Sequence, residues 1–171
     1  MRREINIFFD MDGVLCEYNP NDSVEKMMQP GYFSSREEIV MMTSVLRKLK
    51  NDNRFHVRIL TAVFPEEHNR REKLEWLKKL GLEDVEVCFT PVGESKLSYI
   101  DTKGVNILID DYTLNLLSWQ SGGSDFIGIK FYNSINGRHG TWKKLNGESI
   151  NCHMKSEEAA WRISRAALSA A

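Results

Sequence analysis

The chain has 171 residues, a formal net charge of −1, 42% hydrophobic and 27% charged side chains. That balance is typical of one compact globular domain, so residues 1–171 are predicted to form a single domain. A charge this close to zero gives no global electric field that would attract nucleic acid or an anionic membrane, so any anionic ligand must be held by local groups. Neither a polymeric nucleic acid nor a membrane is expected as a partner. The three cysteines form no CxxC pair, and the sequence contains no pattern of a signal peptide or a membrane span, so a cytoplasmic location is expected.

Short runs of β-branched and aromatic residues alternate with longer helical patterns along the chain. This alternation predicts an α/β fold with a mostly parallel sheet buried between helix layers, a three-layer α/β/α arrangement. Five strands are predicted, at Ile5–Phe9, His56–Leu60, Val85–Phe89, Val105–Ile109 and Phe126–Phe131. Four helices are predicted, at Ser35–Lys50, Pro65–Leu80 and Thr113–Gln120 and in the tail from Ser156.

Three further segments have a sequence pattern of their own. The tail helix is expected to pack through Trp161, Ile163 and Ala167. The basic run at residues 68–79 has its charges around leucines at helical spacing and is interpreted as the solvated outer face of a packed helix. The turn-rich residues 136–147 predict a loop near the last strand, and their sequence does not indicate a role.

Residues 17–34 fit neither a strand nor a helix cleanly, and they come soon after the first predicted strand. Ligands of open α/β sheets bind at the carboxyl ends of the strands, so an insertion at this point is placed to cover a ligand. The segment is therefore predicted to be a short cap. The alternative interpretation is an ordinary surface loop.

Polar side chains of a restricted kind follow several of the predicted strands. Asp10 and Asp12 follow the first strand, Thr61 follows the second, Asp110 and Asp111 follow the fourth, and Lys96 lies between the last two sets. The carboxyl ends of parallel strands lie on one edge of a sheet, so these residues are expected to converge although they are far apart in sequence.

Carboxylates that converge repel one another unless a cation lies among them. Oxygen ligands with no histidine or cysteine nearby favour Mg²⁺, which commonly binds a substrate phosphate as well. One aspartate of the D-x-D pair, Asp10, can attack phosphorus, and Asp12 can act as the general acid and base. Thr61 and Lys96 are suited to hold phosphoryl oxygens, and Gly13 permits a tight turn.

These residues resemble the motifs of the haloacid dehalogenase superfamily of phosphohydrolases. The first motif is IFFDMDGVL, the second is VRILTA, the third is the lysine of GESKLSY, and the fourth is NILIDD. The resemblance covers residues 5 to 133 or so and implies the Rossmann-like fold of that superfamily. Within it, DMDGVL, ILTA, EKLEWL and LIDD are most similar to the 5'(3')-deoxyribonucleotidases of the cytosolic type C family, which dephosphorylate nucleoside monophosphates.

The resemblance implies a role for each matched residue. Asp10 would be the nucleophile, and Asp12 would be the general acid/base that also gives its backbone carbonyl to Mg²⁺. Asp111 would bind the metal directly, with Asp110 supporting the metal waters or Lys96. The phosphate would be held by Thr61 and Lys96 and by backbone N–H groups of Met11, Asp12 and Ala62.

The interval between Asp10 and Thr61 must hold a crossover helix as well as the cap, so the cap is expected to be short. Its aromatic residues Tyr18, Tyr32 and Phe33, with Met27 and Met28 as neighbours, are candidates to stack on a base. They can equally seal the cap against the sheet.

Three alternatives to a nucleotidase stay open from the sequence. The first is a phosphatase of the same superfamily that acts on another small phosphate ester. The second is a phosphoacceptor module, although receiver domains place their acidic pair on the first strand, whereas this chain has it last. The third is a binding protein without turnover. The sequence does not specify an oligomeric state.

Overall fold

The computed structural model describes residues 3–135, 142 and 146–171. Six strands lie within these ranges: β1 (Ile5–Phe9), β2 (His56–Val63), β3 (Glu86–Pro91), β4 (Val105–Asp110), β5 (Phe126–Tyr132) and β6 (Ser149–Asn151). They form one sheet in the order β3-β2-β1-β4-β5-β6, and every neighbouring pair is parallel. The predicted α/β fold with a mostly parallel sheet is confirmed, whereas the predicted count of five strands is wrong.

The helices are α1 (Val24–Met27), α2 (Val40–Lys50), α3 (Glu67–Lys79), α4 (Thr113–Gln120) and α5 (Ser156–Ala170), with 3-10 helices at Phe33–Ser35 and Lys96–Tyr99. Neighbouring residues of β1 belong to different apolar clusters. Ile7 packs in the cluster that contains residues of α2, α3 and α5, whereas Phe8 packs with Leu116 and Trp119 of α4. Because successive side chains of a strand point to opposite faces, the sheet lies between two helix layers.

The order of the strands positions the site. The chain passes from β1 to β2 and β3 on one side and then returns to β4 on the other side of β1. In an open α/β sheet, ligands bind in the crevice at the carboxyl ends of the two strands where this reversal occurs. Here those strands are β1 and β4, which the sequence follows with aspartates.

Helix α2 begins at Val40, five residues later than predicted. Residues 36–39 instead run beside residues 15–17: Glu17 N donates to Glu37 O at 2.8 Å, and Ile39 N donates to Leu15 O at 2.8 Å. A backbone paired in this way with the segment after β1 cannot also form a helix. The long-range pairing therefore overrides the helical periodicity of residues 35–39.

The boundaries of α3 and the packing of α5 agree with some of the local sequence signals and not with others. Pro65 precedes the cap residue Glu66 of α3 and is not in the first turn as predicted. Gly81 ends that helix as predicted, with a φ of +67° and its N–H donating to Lys78 O at 3.0 Å. In α5 the predicted packing is confirmed for Ile163 and Ala167, but Trp161 is 58% exposed.

Residues 17–34 contain α1 and the start of the 3-10 helix Phe33–Ser35, so the cap segment is partly helical rather than irregular. The Ser23 hydroxyl caps α1 by accepting from Lys26 N at 3.2 Å. The predicted loop at residues 136–147 lies, apart from residues 142, 146 and 147, outside the described residues. No helix in the described ranges is long and apolar enough to cross a membrane.

Candidate functional site

Three carboxylates meet at the carboxyl ends of β1 and β4. Asp10 directly follows β1, with its N–H donating to Ile109 O at 2.9 Å, and Asp110 is the last residue of β4. Asp10, Asp110 and Asp111 each offer an oxygen atom, and these atoms lie within 4.8 Å of one another. The predicted convergence of these residues, distant in sequence, is therefore observed.

Lys96 lies between two of these carboxylates. Its ammonium group is 2.7 Å from Asp10 Oδ1 and 2.7 Å from Asp110 Oδ2, and its side chain is buried. Burial by itself lowers the pKa of Lys96, but the two carboxylates outweigh that effect and raise the pKa above its ordinary value. The lysine is therefore charged, and it fixes the orientation of Asp10.

Asp110 is held on all sides by protein donors. Its Oδ1 accepts from Tyr112 N at 2.7 Å, and its Oδ2 accepts from Asn115 Nδ2 at 3.0 Å as well as from Lys96. A carboxylate with this many donors is fixed in place. This arrangement agrees with the supporting role that the resemblance implies for Asp110.

Asp111 is positioned by residues that the sequence analysis did not single out. Asn133, directly after β5, donates from Nδ2 to Asp111 Oδ2 and to Gly13 O, both at 3.0 Å. The Lys130 ammonium donates to the backbone carbonyl of Asp111 and, at 3.0 Å, to Thr113 Oγ1. Neither residue lies in a motif, so only the pairing of β5 beside β4 brings them to the site.

The charges of this cluster favour a bound cation. Burial raises the pKa of Asp10 to about 7, with Asp110 and Asp12 adding to the rise against the attraction of Lys96. Burial also raises the pKa of Asp111 to about 8, with Asp110 and Asp10 adding repulsion. Carboxylate oxygens that repel one another in a site of this kind are suited to Mg²⁺, so the buried Asp10 and Asp110 and the half-buried Asp111 fit this ion.

Asp12 lies on a tight loop, and its carboxylate pairs with a different lysine from the one that contacts Asp10 and Asp110. The Met11 carbonyl accepts from Leu15 N at 2.8 Å and Cys16 N at 3.0 Å, which closes the loop. Gly13 has a φ of +80°, so the predicted need for a glycine in this turn is confirmed. The Asp12 carboxylate forms an ion pair with Lys73 and is 22% exposed. That the Asp12 carbonyl binds a metal stays a prediction.

Lys73 is the main residue that the sequence analysis missed. It lies on α3 with 0% exposure, and its ammonium donates to Asp12, to Thr61 Oγ1 at 2.8 Å and to Ala62 O at 2.9 Å. The prediction that the basic run 68–79 is a solvated face is therefore wrong at Lys73. The available signal was its spacing, since Lys73 lies four residues before Leu77 and so shares the buried face of the helix.

Thr61 lies within β2 rather than after it, because that strand continues to Val63. Its side chain is buried and points to Lys73, while the half-buried Ala62 offers its carbonyl to the same ammonium. The structure thus brings Thr61, Ala62, Met11 and Asp12 to one end of the sheet. Their contacts with a phosphate stay predictions.

The cap residues differ in what they contact. Phe33 is buried, with its ring centroid 4.5 Å from Lys73 Nζ. Tyr32 is buried within the cap, where its hydroxyl donates to Asp22 Oδ2 at 2.9 Å and Arg36 lies over its ring. Met27 is half-buried at the end of α1. Whether any of them stacks on a base stays a prediction.

A cavity of about 130 Å³ adjoins the site and is lined by Tyr18, Asn133 and Cys152 among others. Burial raises the pKa of the Tyr18 phenol, and the charges of Asp111 and Asp12 raise it further. Tyr18 is therefore the cap residue whose surroundings combine a cavity with the carboxylates. Such a volume holds a small group rather than a large ligand.

Comparison with known proteins adds no assignment. No protein-family model matches the chain, and no curated protein matches it significantly. The case for a function therefore depends on the geometry of the site.

A substitution at Gly13 tests the close approach of the loop to Asp111. A Cβ at Gly13 would lie 2.4 Å from Asp111 Oδ2, and the φ of +80° is unfavourable for alanine. We expect Gly13→Ala to weaken Mg²⁺ binding and to lower stability. The control is Gly93→Ala, at a φ of +87° with no atom within 4 Å. It should show only the loss of stability that a positive φ causes in alanine, about 1–2 kcal/mol. Calorimetric titration and thermal unfolding measure both effects. Equal Mg²⁺ affinity in the two variants would refute the contact.

The raised carboxyl pKa values predict how stability depends on pH. In the metal-free protein, their contribution to stability is complete below the ordinary pKa of 3.8 and is lost as pH rises through about 7 for Asp10 and about 8 for Asp111. We expect the melting temperature to fall across this interval without metal, and Mg²⁺ to raise it most at the alkaline end, where the carboxylates are ionised. The melting temperature of the Asp111→Asn variant should fall less over the same pH interval. An equal fall in that variant would contradict the raised pKa of Asp111.

Proposed function

We propose that the chain is a Mg²⁺-dependent phosphomonoesterase that acts through an aspartyl-phosphate intermediate, as in the haloacid dehalogenase superfamily it resembles. The observation that carries the proposal is the convergence of Asp10, Asp110 and Asp111 beside a second aspartate, Asp12, with a buried lysine at each of the two groups. Asp10 and Asp12 are only two residues apart, yet they pair with different lysines. An ion-pair network with a purely structural role would not need this separation.

Asp10 is the nucleophile of the proposal. Its carboxylate lies at the carboxyl end of β1, and Lys96 holds Oδ1 at 2.7 Å. Attack by the carboxylate on phosphorus forms the aspartyl-phosphate and breaks the bond from phosphorus to the ester oxygen. A bound Mg²⁺, held by Asp10 and Asp111 with Asp110 in support, would supply positive charge that offsets the phosphoryl charge.

Asp12 is the general acid and base of the proposal. In its acid form it gives a proton to the departing alkoxide, and as a carboxylate it then takes a proton from the water that attacks the aspartyl-phosphate. The second step returns Asp10 as a carboxylate and releases inorganic phosphate. The partial exposure of Asp12 lets an alcohol and a water reach it, while the buried Lys73 fixes its orientation.

The remaining donors are suited to the phosphoryl oxygens. Thr61 and the backbone N–H groups of Met11, Asp12 and Ala62 would bind them, as the resemblance implies. Preorganised donors of this kind stabilise the charge that develops during transfer. Lys96 has two carboxylate partners of its own, so its role is to orient Asp10 and balance charge as well as to face the phosphate.

The substrate class of the proposal is a small phosphate ester, with a nucleoside monophosphate as the first choice because of the resemblance to deoxyribonucleotidases. The short cap at residues 17–34 keeps another small ester as the second candidate. The partner is thus a small molecule rather than a polymeric nucleic acid, and a cytoplasmic location stays a prediction.

Substitution of the nucleophile tests the reaction. With a panel of deoxynucleotides, ribonucleotides and sugar phosphates, we expect Mg²⁺-dependent phosphate release that Asp10→Asn abolishes, because an amide does not attack phosphorus. Asp101→Asn, at an exposed position, is the matched control and should retain activity. Borohydride reduction of quenched wild type should modify Asp10, as it reduces an acyl phosphate. Full turnover by Asp10→Asn would rule out the covalent mechanism.

Removal of the Lys73 charge tests the general acid and base. We expect Lys73→Met to lower kcat by roughly 10²-fold, because Asp12 loses its ion pair and its orientation. Lys78→Met changes an exposed lysine of the same helix and should leave kcat unchanged. Steady-state kinetics on the best substrate of the panel measure the effect. An unchanged kcat in Lys73→Met would show that Asp12 does not need this lysine.

A further inference from the structure

One stripe of α3 binds the main chain of the cap and of the residues that directly follow it. His68, Glu72 and Trp76 lie four residues apart, so they share one side of the helix. His68 Nε2 lies 3.0 Å from Met28 O, and Trp76 Nε1 donates to Arg36 O at 2.8 Å. Each side chain of the stripe therefore contacts a backbone atom of residues 28–36.

Glu72 makes the central contact of this stripe. Its Oε1 accepts from Gly31 N at 2.6 Å, and its Oε2 accepts from Phe33 N at 3.1 Å. The residue is buried, and hydrogen bonds to a buried carboxylate are stronger than those between neutral groups. Both oxygens of Glu72 thus hold the turn that leads into Phe33.

The clamp at Glu72 connects to the proposed acid/base through two further contacts. The Phe33 ring centroid is 4.5 Å from the ammonium of Lys73, and Phe33 is itself buried. An aromatic face attracts a cation and keeps water from it. Lys73 in turn pairs with Asp12. Displacement of the turn would therefore remove the cover of the lysine that orients Asp12.

We propose that Glu72 is a positioning residue: by holding the backbone N–H groups of Gly31 and Phe33, it keeps the Phe33 ring against Lys73 and so keeps Lys73 against Asp12. This inference rests on the proposed function, and it extends it by giving the cap a task in proton transfer.

The choice of leaving group separates this role from a structural one. An alkyl phosphate needs a proton from Asp12 as its alkoxide departs, whereas p-nitrophenyl phosphate releases a stable phenolate without that proton. The value of kcat/KM reports the steps up to release of the alcohol. We expect Glu72→Gln to lower kcat/KM for glycerol 1-phosphate by roughly tenfold and to leave kcat/KM for p-nitrophenyl phosphate almost unchanged.

A double-mutant cycle shows whether Glu72 acts through Phe33. We expect Phe33→Leu to have the same selective effect, and the Glu72→Gln/Phe33→Leu protein to be no worse than either single variant. Glu75→Gln, at an exposed residue of α3 that pairs with Arg71 at 3.8 Å, is the control and should leave both substrates unchanged. The Phe33→Leu variant keeps the test decisive if Glu72→Gln does not fold.

The outcomes distinguish the inference from the proposed function. An equal fall of kcat/KM for both esters, no fall, or additive effects in the cycle would overturn the positioning role while the phosphatase stands. Hydrolysis of neither ester by the wild type, nor of any other in the substrate panel, would refute the phosphatase itself and with it any role of Glu72 in proton transfer.

Discussion

The site depends on the burial of like charges at the carboxyl edge of a parallel sheet. Asp10 and Asp110 come from adjacent strands, and the Lys96 ammonium lies 2.7 Å from each of them. Removal of one member of such a buried set leaves an uncompensated charge, which costs several kcal/mol. Lys96 therefore links the carboxyl ends of two adjacent strands and orients Asp10, the proposed nucleophile. The raised pKa values of Asp10 and Asp111 show that further positive charge would stabilise their ionised forms.

Two lysines from different parts of the fold contact different residues of the candidate site. Lys96 precedes β4 and approaches Asp10 and Asp110, whereas Lys73 comes from α3 and approaches Asp12 and Thr61. Asp10 pairs with Lys96 and Asp12 pairs with Lys73. The turn at Gly13, with its φ of +80°, comes directly after Asp12. Two aspartates two residues apart thus obtain different partners, and different environments are what allow one carboxylate to attack and another to exchange protons.

Much of this site was predictable because residues that follow the apolar strands of a parallel sheet lie at its carboxyl edge. The mostly apolar run of β1 predicts where Asp10 lies, and that of β4 does the same for Asp110. Lys73 was missed because it lies in a run rich in charged residues, although its spacing to Leu77 places it on the buried face of α3. Strand β6 has three residues with one apolar side chain, too little for a periodic signal, and the late start of α2 follows from pairing with residues 15–17.

The central claim is that Asp10 and Asp111 bind one divalent ion, with Asp110 in support. Calorimetric titration of Mg²⁺ into the wild type and into Asp111→Asn tests it most directly. We expect saturable binding of one ion per chain to the wild type and loss of that binding in Asp111→Asn. Equal affinity of the two proteins for Mg²⁺, or no binding to the wild type at a pH where both carboxylates are ionised, would contradict it.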